Sequence, residues 1–464
     1  MKKIFLVAAL FAASITSVNA DTDVTIPSVE TAQANGWDAL WGDYQWGYVM
    51  PENHMLVDNE EITVQLNRAA NVATSCQVAG YDINLQMGSS LTRESNTPIY
   101  SLETLYATMK QPYAVLTVTP KMNGKLTYTY CRGKNGNTTM YVWDTSAADG
   151  VGAYVSANST FFDETEDADL DPIAHTVTVN LRKDHVYYVF GAEEGANTDF
   201  YGMKFVPYSS PNYVTSTTGT TEMVIPTVET AQANNWGGLW GDYQWGYVMP
   251  ENHVLVDNED IKLQLNRAAN VATSCQVAGY GINLQMGSSI TRESNTPIYS
   301  LETLYATMKQ PYAVLTLTPK KNGKITFTYC RGKNGATTMY VWDTSAADGV
   351  GAYVCANSTF FDETQDASLE ILPHTVTVNV RKDHVYWIFG AEEGANTDFY
   401  SLAFTGYHDA NYSTSTGIEN VVTNTTEKPA DNKIYTIDGR YVGTDKAALV
   451  KGLYIQNGKK FIVK

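Results

Sequence analysis

The sequence predicts an all-β protein: two tandem antiparallel β-sandwich domains of jelly-roll-like character, followed by a small C-terminal β piece. The stretch NGWDALWGDYQWGYVMPENH at 35–54 returns as NNWGGLWGDYQWGYVMPENH at 234–253. Trp37, Cys76, Cys131 and His175 each recur 199 positions later, as Trp236, Cys275, Cys330 and His374. A period this long, without insertion or deletion, marks a duplicated domain, whereas solenoid and propeller units repeat every 20 to 50 residues or so. Within each copy, short runs such as KLTYTYC, TMYVWD, HTVTVNLR, HVYYVFG and DFYGMKFV are rich in Val, Thr, Tyr and Phe. Many alternate with period two, and Gly, Asn and Asp turns separate them, as in antiparallel sandwiches.

Taken in order, the opening MKKIFLVAALFAASITSVNA reads as a signal peptide over 1–20. Lys2 and Lys3 precede an apolar run, and Val18 and Ala20 suit cleavage after Ala20. No later stretch approaches the roughly 20 apolar residues of a spanning helix. No Cys follows the cleavage point, which argues against a lipid anchor, so a secreted or cell-surface protein is expected. Module 1 then covers 21–218 and module 2 covers 219–417, with the boundary in the polar run YSSPNYVTSTTGTTE at 208–222. A linker at 418–432 leads to a segment at 433–464 that is too short to bury much of a core alone. Two stretches read as helical. SVETAQANG has Ser28 as N-cap and Asn35 or Gly36 as its stop, and SLETLYATMKQ has Ser101 ahead of Leu102, Leu105 and Met109.

A hydrophobic content of 44% is ample for buried cores. A net charge of −18 repels phosphate backbones and excludes nucleic acid as a partner. Two readings of the five cysteines stand open. One is a disulfide in each copy, from Cys76 with Cys131 and Cys275 with Cys330, leaving Cys355, where the first copy has Ser156. The other is buried thiols acting as small apolar side chains. No cysteine or histidine cluster has zinc spacing.

The runs YAVLTVTPKMNGKLTYTYCRGKNG and HTVTVNLRKDHVYYVFGAEEGANTDFYGMKF resemble the accessory β-sandwich modules found beside polysaccharide lyases and glycoside hydrolases in exported Bacteroidota proteins. The shared pattern is a strand after an Asn-Gly turn, a V-x-L-x-K-x-x-x-Y-Y-x-F-G strand pair and a closing FYGMKF strand. The resemblance implies carbohydrate binding and assigns no ligand contact to any position. At the C-terminus, IYTIDGRYV with LVKGLYIQNGKKFIVK is similar to the sorting domain read by the type IX secretion system. The alternative there is a hairpin extending the second sandwich.

Catalytic candidates are weak. His54, His175 and His185, with His253, His374 and His384, lack a HExxH companion or metal spacing and read as polar surface residues. The run DETEDADLD at 163–171 offers oxygen atoms of the kind Ca²⁺ takes. Its counterpart DETQDASLE has Gln365 for Glu166 and Ser368 for Asp169, so a solvated loop is favoured and no cofactor is expected. Asp163, Glu164, Glu193 and Glu194 are shared by both copies, yet nothing marks them as an acid/base pair. No nucleophile elbow, phosphate loop or dinucleotide fingerprint is present.

The aromatic stretch offers most for binding. Read as a strand, WGDYQWGYV puts Tyr44, Trp46 and Tyr48 on one face, with attachments about 6.6 Å apart. Such a row serves either as core or as a sugar-stacking surface, with core the favoured reading. Trp37 and Trp41 sit in a Gly- and Asn-flanked loop, where exposed aromatics need a cover: a glycan, a neighbouring domain or the chain itself. Asn84 and Gln86, in GYDINLQMGSS, share one strand face suited to hydroxyl recognition. The candidate ligand residues are therefore Trp37, Trp41, Trp46, Asn84 and Gln86, with Trp236, Trp240, Trp245, Asn283 and Gln285 in the second copy. Gly281 replaces Asp82, and Gly237 and Gly238 replace Asp38 and Ala39, which argues against a shared role there.

The expected function is a non-catalytic, exported carbohydrate-binding protein whose two modules grip a polysaccharide, with secreted glycan-degrading enzymes as associates. The alternatives are a structural or adhesion protein with duplicated spacers, and a polysaccharide lyase or hydrolase.

Overall fold

A computed structural model describes residues 21–88, 102–109, 112–133, 138–146, 153–161, 173–192, 198–213, 217, 219–287, 300–308, 310–332, 337–345, 352–359, 373–391, 397–410, 412, 434–436, 441–443, 451–456 and 459–463. The signal peptide, Ser101, both acidic runs, the Glu193 and Glu194 pair and the 418–432 linker lie outside the described residues.

The first copy contains β1 (Thr22–Val24), α1 (Val29–Ala34), β2 (Gly47–Met50), β3 (Met55–Asp58), β4 (Ile62–Leu66), β5 (Ala70–Ala73), β6 (Asn84–Met87) and α2 (Leu102–Thr108). It continues with β7 (Val115–Pro120), β8 (Gly124–Arg132), β9 (Thr139–Asp144), β10 (Ala153–Ser159), β11 (His175–Leu181), β12 (Tyr187–Ala192) and β13 (Thr198–Pro207). One sheet runs β2-β5-β6-β13-β8-β11, with β1 added on β13, and the other runs β3-β4-β7-β12-β9-β10. All these strand pairs are antiparallel. Period-two alternation sets the packing. Leu126, Tyr128 and Tyr130 of β8 enter the core between the sheets with Val177, Val179 and Leu181 of β11, while Thr127 faces away. The second copy repeats this arrangement and builds an equivalent core.

Both helices form where the sequence signals them. Ser28 caps α1, its Oγ accepting the Thr31 N–H at 3.2 Å, and Gly36 takes φ 66° just beyond the C-terminus. α2 lies on the outer side of the second sheet, where Leu105 and Met109 pack on Tyr141, Trp143 and Phe190. In the second copy Ser300 caps the equivalent helix through the Thr303 N–H at 3.1 Å.

The two sandwiches share their sheets. β11 pairs antiparallel with its counterpart His374–Val380, and β10 pairs with its counterpart Ala352–Ser358. The registers are Thr178↔Thr377 and Ser156↔Cys355, so in both sheets a residue meets its own equivalent across the join. Only a twofold arrangement does this, as at an isologous dimer interface. The join covers edges that each copy alone would leave unpaired.

Beyond the paired residues, amide side chains take over the hydrogen bonding. The Asn180 N–H donates to Asn357 Oδ1 at 2.6 Å, and the Asn379 N–H donates to Asn158 Oδ1 at 2.7 Å. Asn180 Nδ2 reaches Tyr329 Oη at 2.9 Å, and Asn379 Nδ2 reaches Tyr130 Oη at 3.0 Å. Asn158→Ala is expected to cost about 1 to 3 kcal/mol, because it strands the buried Asn379 N–H without an acceptor. Chemical denaturation of the full chain checks this, and Asn357→Ala gives the same loss through Asn180.

His175 and His374 correct the expectation of surface histidines. Both are buried at this join, held by tyrosines that follow the last strand of the opposite copy: His175 Nδ1 lies 3.0 Å from Tyr412 Oη, and His374 Nδ1 lies 2.9 Å from Tyr213 Oη. Burial, with Lys324 and Lys125 nearby, pushes the two imidazoles down to about 3.

All five cysteines are free thiols. Cys131, Cys330 and Cys355 are buried, and burial pushes each up to about 12. They act as small apolar side chains, the second of the two sequence readings.

Residues 418–464 form a separate unit. Its described strands make an antiparallel sheet in the order Tyr441–Gly443, Ile434–Thr436, Gly452–Gln456, Lys459–Val463. Among the described residues no helix is long and apolar enough to cross a membrane.

Candidate functional site

The segment between α1 and β2 folds as two tight turns rather than as a strand. Trp37 is half-buried, its ring 5.4 Å from Tyr48 and 4.7 Å from His54. Leu40 anchors the first turn in the interior, and Trp41 follows at φ 53° and ψ 27°. Asp43 then caps the second turn, Tyr44–Trp46, its Oδ1 accepting the Gln45 N–H at 2.9 Å and its Oδ2 accepting from Gln45 Nε2. Tyr44 Oη donates to the Trp37 carbonyl and Tyr48 Oη donates to the Pro27 carbonyl. The Thr74 N–H donates to the Trp46 carbonyl at 3.2 Å, tying the turn to the end of β5.

This geometry divides the aromatics differently from a strand. Tyr48 is fully buried and Tyr44 packs on the core, as the core reading expected, but Trp46 is 49% exposed. The helical turn at 44–46 breaks the period-two alternation that would have turned Trp46 inward with them. Trp41 is 76% exposed. The second copy repeats the values: Trp240 is 77% exposed at φ 53°, and Trp245 is 49% exposed. Trp236 is half-buried like Trp37 and packs on Tyr247 and His253.

A left-handed conformation costs a bulky L-residue about 1 to 2 kcal/mol, and strain held at the surface points to a role other than stability. Trp41→Gly is therefore expected to leave the fold intact and raise its stability by up to about 1 kcal/mol, the relief of strain outweighing the glycine entropy cost. Thermal denaturation measures the difference.

The amide candidates fall elsewhere. Asn84 is fully buried, and its Nδ2 donates to the Ser75 carbonyl at 3.2 Å and to Cys76 Sγ at 3.6 Å. Asn283 repeats this with the Ser274 carbonyl and Cys275. These two are sealed from ligand by the loop they hold. Gln86 and Gln285 are half-buried on their strands, and Gln86 Oε1 accepts from Asn71 Nδ2 at 3.3 Å.

What the structure brings together is an exposed loop carrying Trp41 and Trp46, with exposed Asp43 and Gln45 between them. Asp43 and Gln45 are absent from the candidate residues drawn from the sequence, because a strand would turn them away from the Tyr44, Trp46 and Tyr48 face. The Asp-x-Gln spacing of a capped turn was the available signal.

Elsewhere, Asp199 and Asp398 are buried carboxyls that burial pushes up to about 7. At 3% exposure each, they are shut off from any dissolved substrate. Among the described residues, no group of three or more His, Cys, Asp or Glu is placed to hold a metal ion.

No family model matches the chain, and no curated protein matches it. Among solved structures, the chain is similar to the CBM22-1–CBM22-2 tandem domain of Paenibacillus barcinonensis Xyn10C at 9% identity. That match covers 77% of this chain and 99% of that one, with a TM-score of 0.20. It is also similar to the 7S globulin of Momordica charantia, at 8% identity over 75% of this chain and 81% of that one, with a TM-score of 0.12. Overlaps this loose assign neither activity nor ligand.

Proposed function

We propose that the protein is an exported, non-catalytic polysaccharide-binding protein whose two copies each present an aromatic platform, Trp41 with Trp46 and Trp240 with Trp245. The observation that carries this is the left-handed, solvent-exposed tryptophan found in both copies. Sugars suit such a platform because their C–H faces stack on flat rings, while their hydroxyls take up groups such as the Asp43 carboxylate and the Gln45 amide. Gln86 and Gln285 remain secondary candidates, and Trp37 and Trp236 support the loop from beneath. Export fits the opening residues, and cell-surface sorting fits the C-terminal sequence pattern. Neither calcium nor a catalytic pair enters this reading.

A spacer or adhesion protein would bury both loop tryptophans against its own chain. Trp37 behaves that way, but Trp41 does not.

Affinity electrophoresis against soluble arabinoxylan, mixed-linkage β-glucan, xyloglucan and homogalacturonan tests the proposal. At least one polymer is expected to retard the full chain, with retardation lost in the double variant Trp41→Ala/Trp240→Ala. If that variant migrates like the wild type in every gel, the platform assignment fails.

A further inference from the structure

The twofold join constrains how the two platforms can be used. Trp46 immediately precedes β2 and Trp245 immediately precedes Gly246–Met249, the strands at the two outer ends of the shared sheet. Twelve strands separate end from end, inclusive. At roughly 4.8 Å per strand this places the platforms about 50 Å apart along the sheet.

The line joining two points related by a twofold axis meets that axis at right angles, so the rotation reverses every direction along the line. A polysaccharide chain has a reducing and a non-reducing end. A straight chain laid from one platform to the other would meet the second in the sense opposite to the first, and equivalent residues cannot bind it equivalently in both.

Resting on the platform reading, we infer that the protein does not grip one chain twice but cross-links two separate chains that run in opposite senses. The join makes this geometry fixed rather than adjustable. Two sheets are continuous through it, and the reciprocal bonds of Asn158, Asn180, Asn357 and Asn379 leave no linker to swivel. The usual gain from a tandem module, a high effective concentration of the second site for the same ligand, is thereby exchanged for a bridge between ligands.

The test uses the full chain and whichever polymer of the four-member panel retards it. Light scattering of dilute polymer is followed as wild type, Trp41→Ala or Trp240→Ala is added, with Trp46→Ala and Trp245→Ala as second variants at the same platforms. Wild type is expected to raise the scattering at least tenfold near equivalence and to lose that rise in excess protein. Each single-platform variant is expected to bind the polymer within about twofold of wild type and to give no rise. If wild type binds without a rise in scattering, or single variants lose affinity by the factor of 10² to 10⁴ that a shared ligand produces, the cross-linking inference falls while the binding proposal stands. If no polymer retards the wild type, the binding proposal itself falls.

Discussion

Gly47→Ala is expected to destabilise the first copy by about 3 kcal/mol or more, combining strained backbone with a steric clash. Gly47 opens β2 at φ 122°, and a Cβ there would lie 1.9 Å from the Val72 carbonyl oxygen on the neighbouring strand β5. That oxygen belongs to backbone and cannot swing aside, so β2 must leave the sheet edge. The turn carrying Trp46 ends at this residue, and the placement of the exposed Trp46 ring would be lost with it. Gly246 stands at φ 123° with the same 1.9 Å approach to Val271, so the second copy repeats the prediction independently. The control is Gly42, at φ 81° with nothing within 4 Å of its built Cβ. Gly42→Ala should cost only about 1 to 2 kcal/mol of left-handed strain. Denaturant titration separates the two, and equal losses would show that the carbonyl contact does not matter.

The second large effect concerns pH. His175 and His374 are pushed down to about 3 by burial, so the stability they contribute is present above about pH 6.5 and is lost as pH falls toward 3. Asp199 and Asp398 are pushed up to about 7 by burial, so their contribution is present below the ordinary carboxylate range and is lost as pH rises through 7. Between about pH 4 and 6.5, unfolding makes the two histidines take up protons and the two aspartates release them, and the slopes oppose each other. The double variant Asp199→Asn/Asp398→Asn removes one side. It should lose stability relative to wild type by about 2.7 kcal/mol for each unit of acidification across this window, at 1.36 kcal/mol per proton. Urea titrations at pH 4.5, 5.5 and 6.5 measure that difference. Parallel wild-type and variant curves would place the aspartate titration elsewhere.

The strands and the duplication were legible because both are local: alternation is visible in HTVTVNLR, and 199-residue register is visible by inspection. Ser28 announced α1 through the same short-range chemistry that caps it. The join was not legible, since the edge strand HTVTVNLR reads identically whether its partner is water or another copy. His175 consequently looked like a surface residue, while the tyrosine that covers it lies 237 positions away. Asn84 looked available for hydroxyls because its alternation is that of a strand face. Its burial comes from the Ser75–Cys76 loop, which no period reports. In the aromatic stretch, the exposed pair is Trp41 with Trp46, whereas the sequence paired Trp41 with Trp37. Asp43 converts a strand-like pattern into a capped turn, which exchanges Trp37 for Trp46 at the surface.

At the twofold axis the two copies differ by one atom type, Ser156 facing Cys355. Asn158 Nδ2 donates to the hydroxyl of the one, and Asn357 Nδ2 approaches the sulfur of the other at 2.7 Å. In a dimer of identical chains, any substitution on the axis appears on both sides at once, so a cysteine there would face a cysteine. Joining the copies in one polypeptide releases each side to mutate alone. The centre of the molecule can carry a thiol that has no twin to oxidise with, an asymmetry open to a fused gene and closed to a symmetric pair.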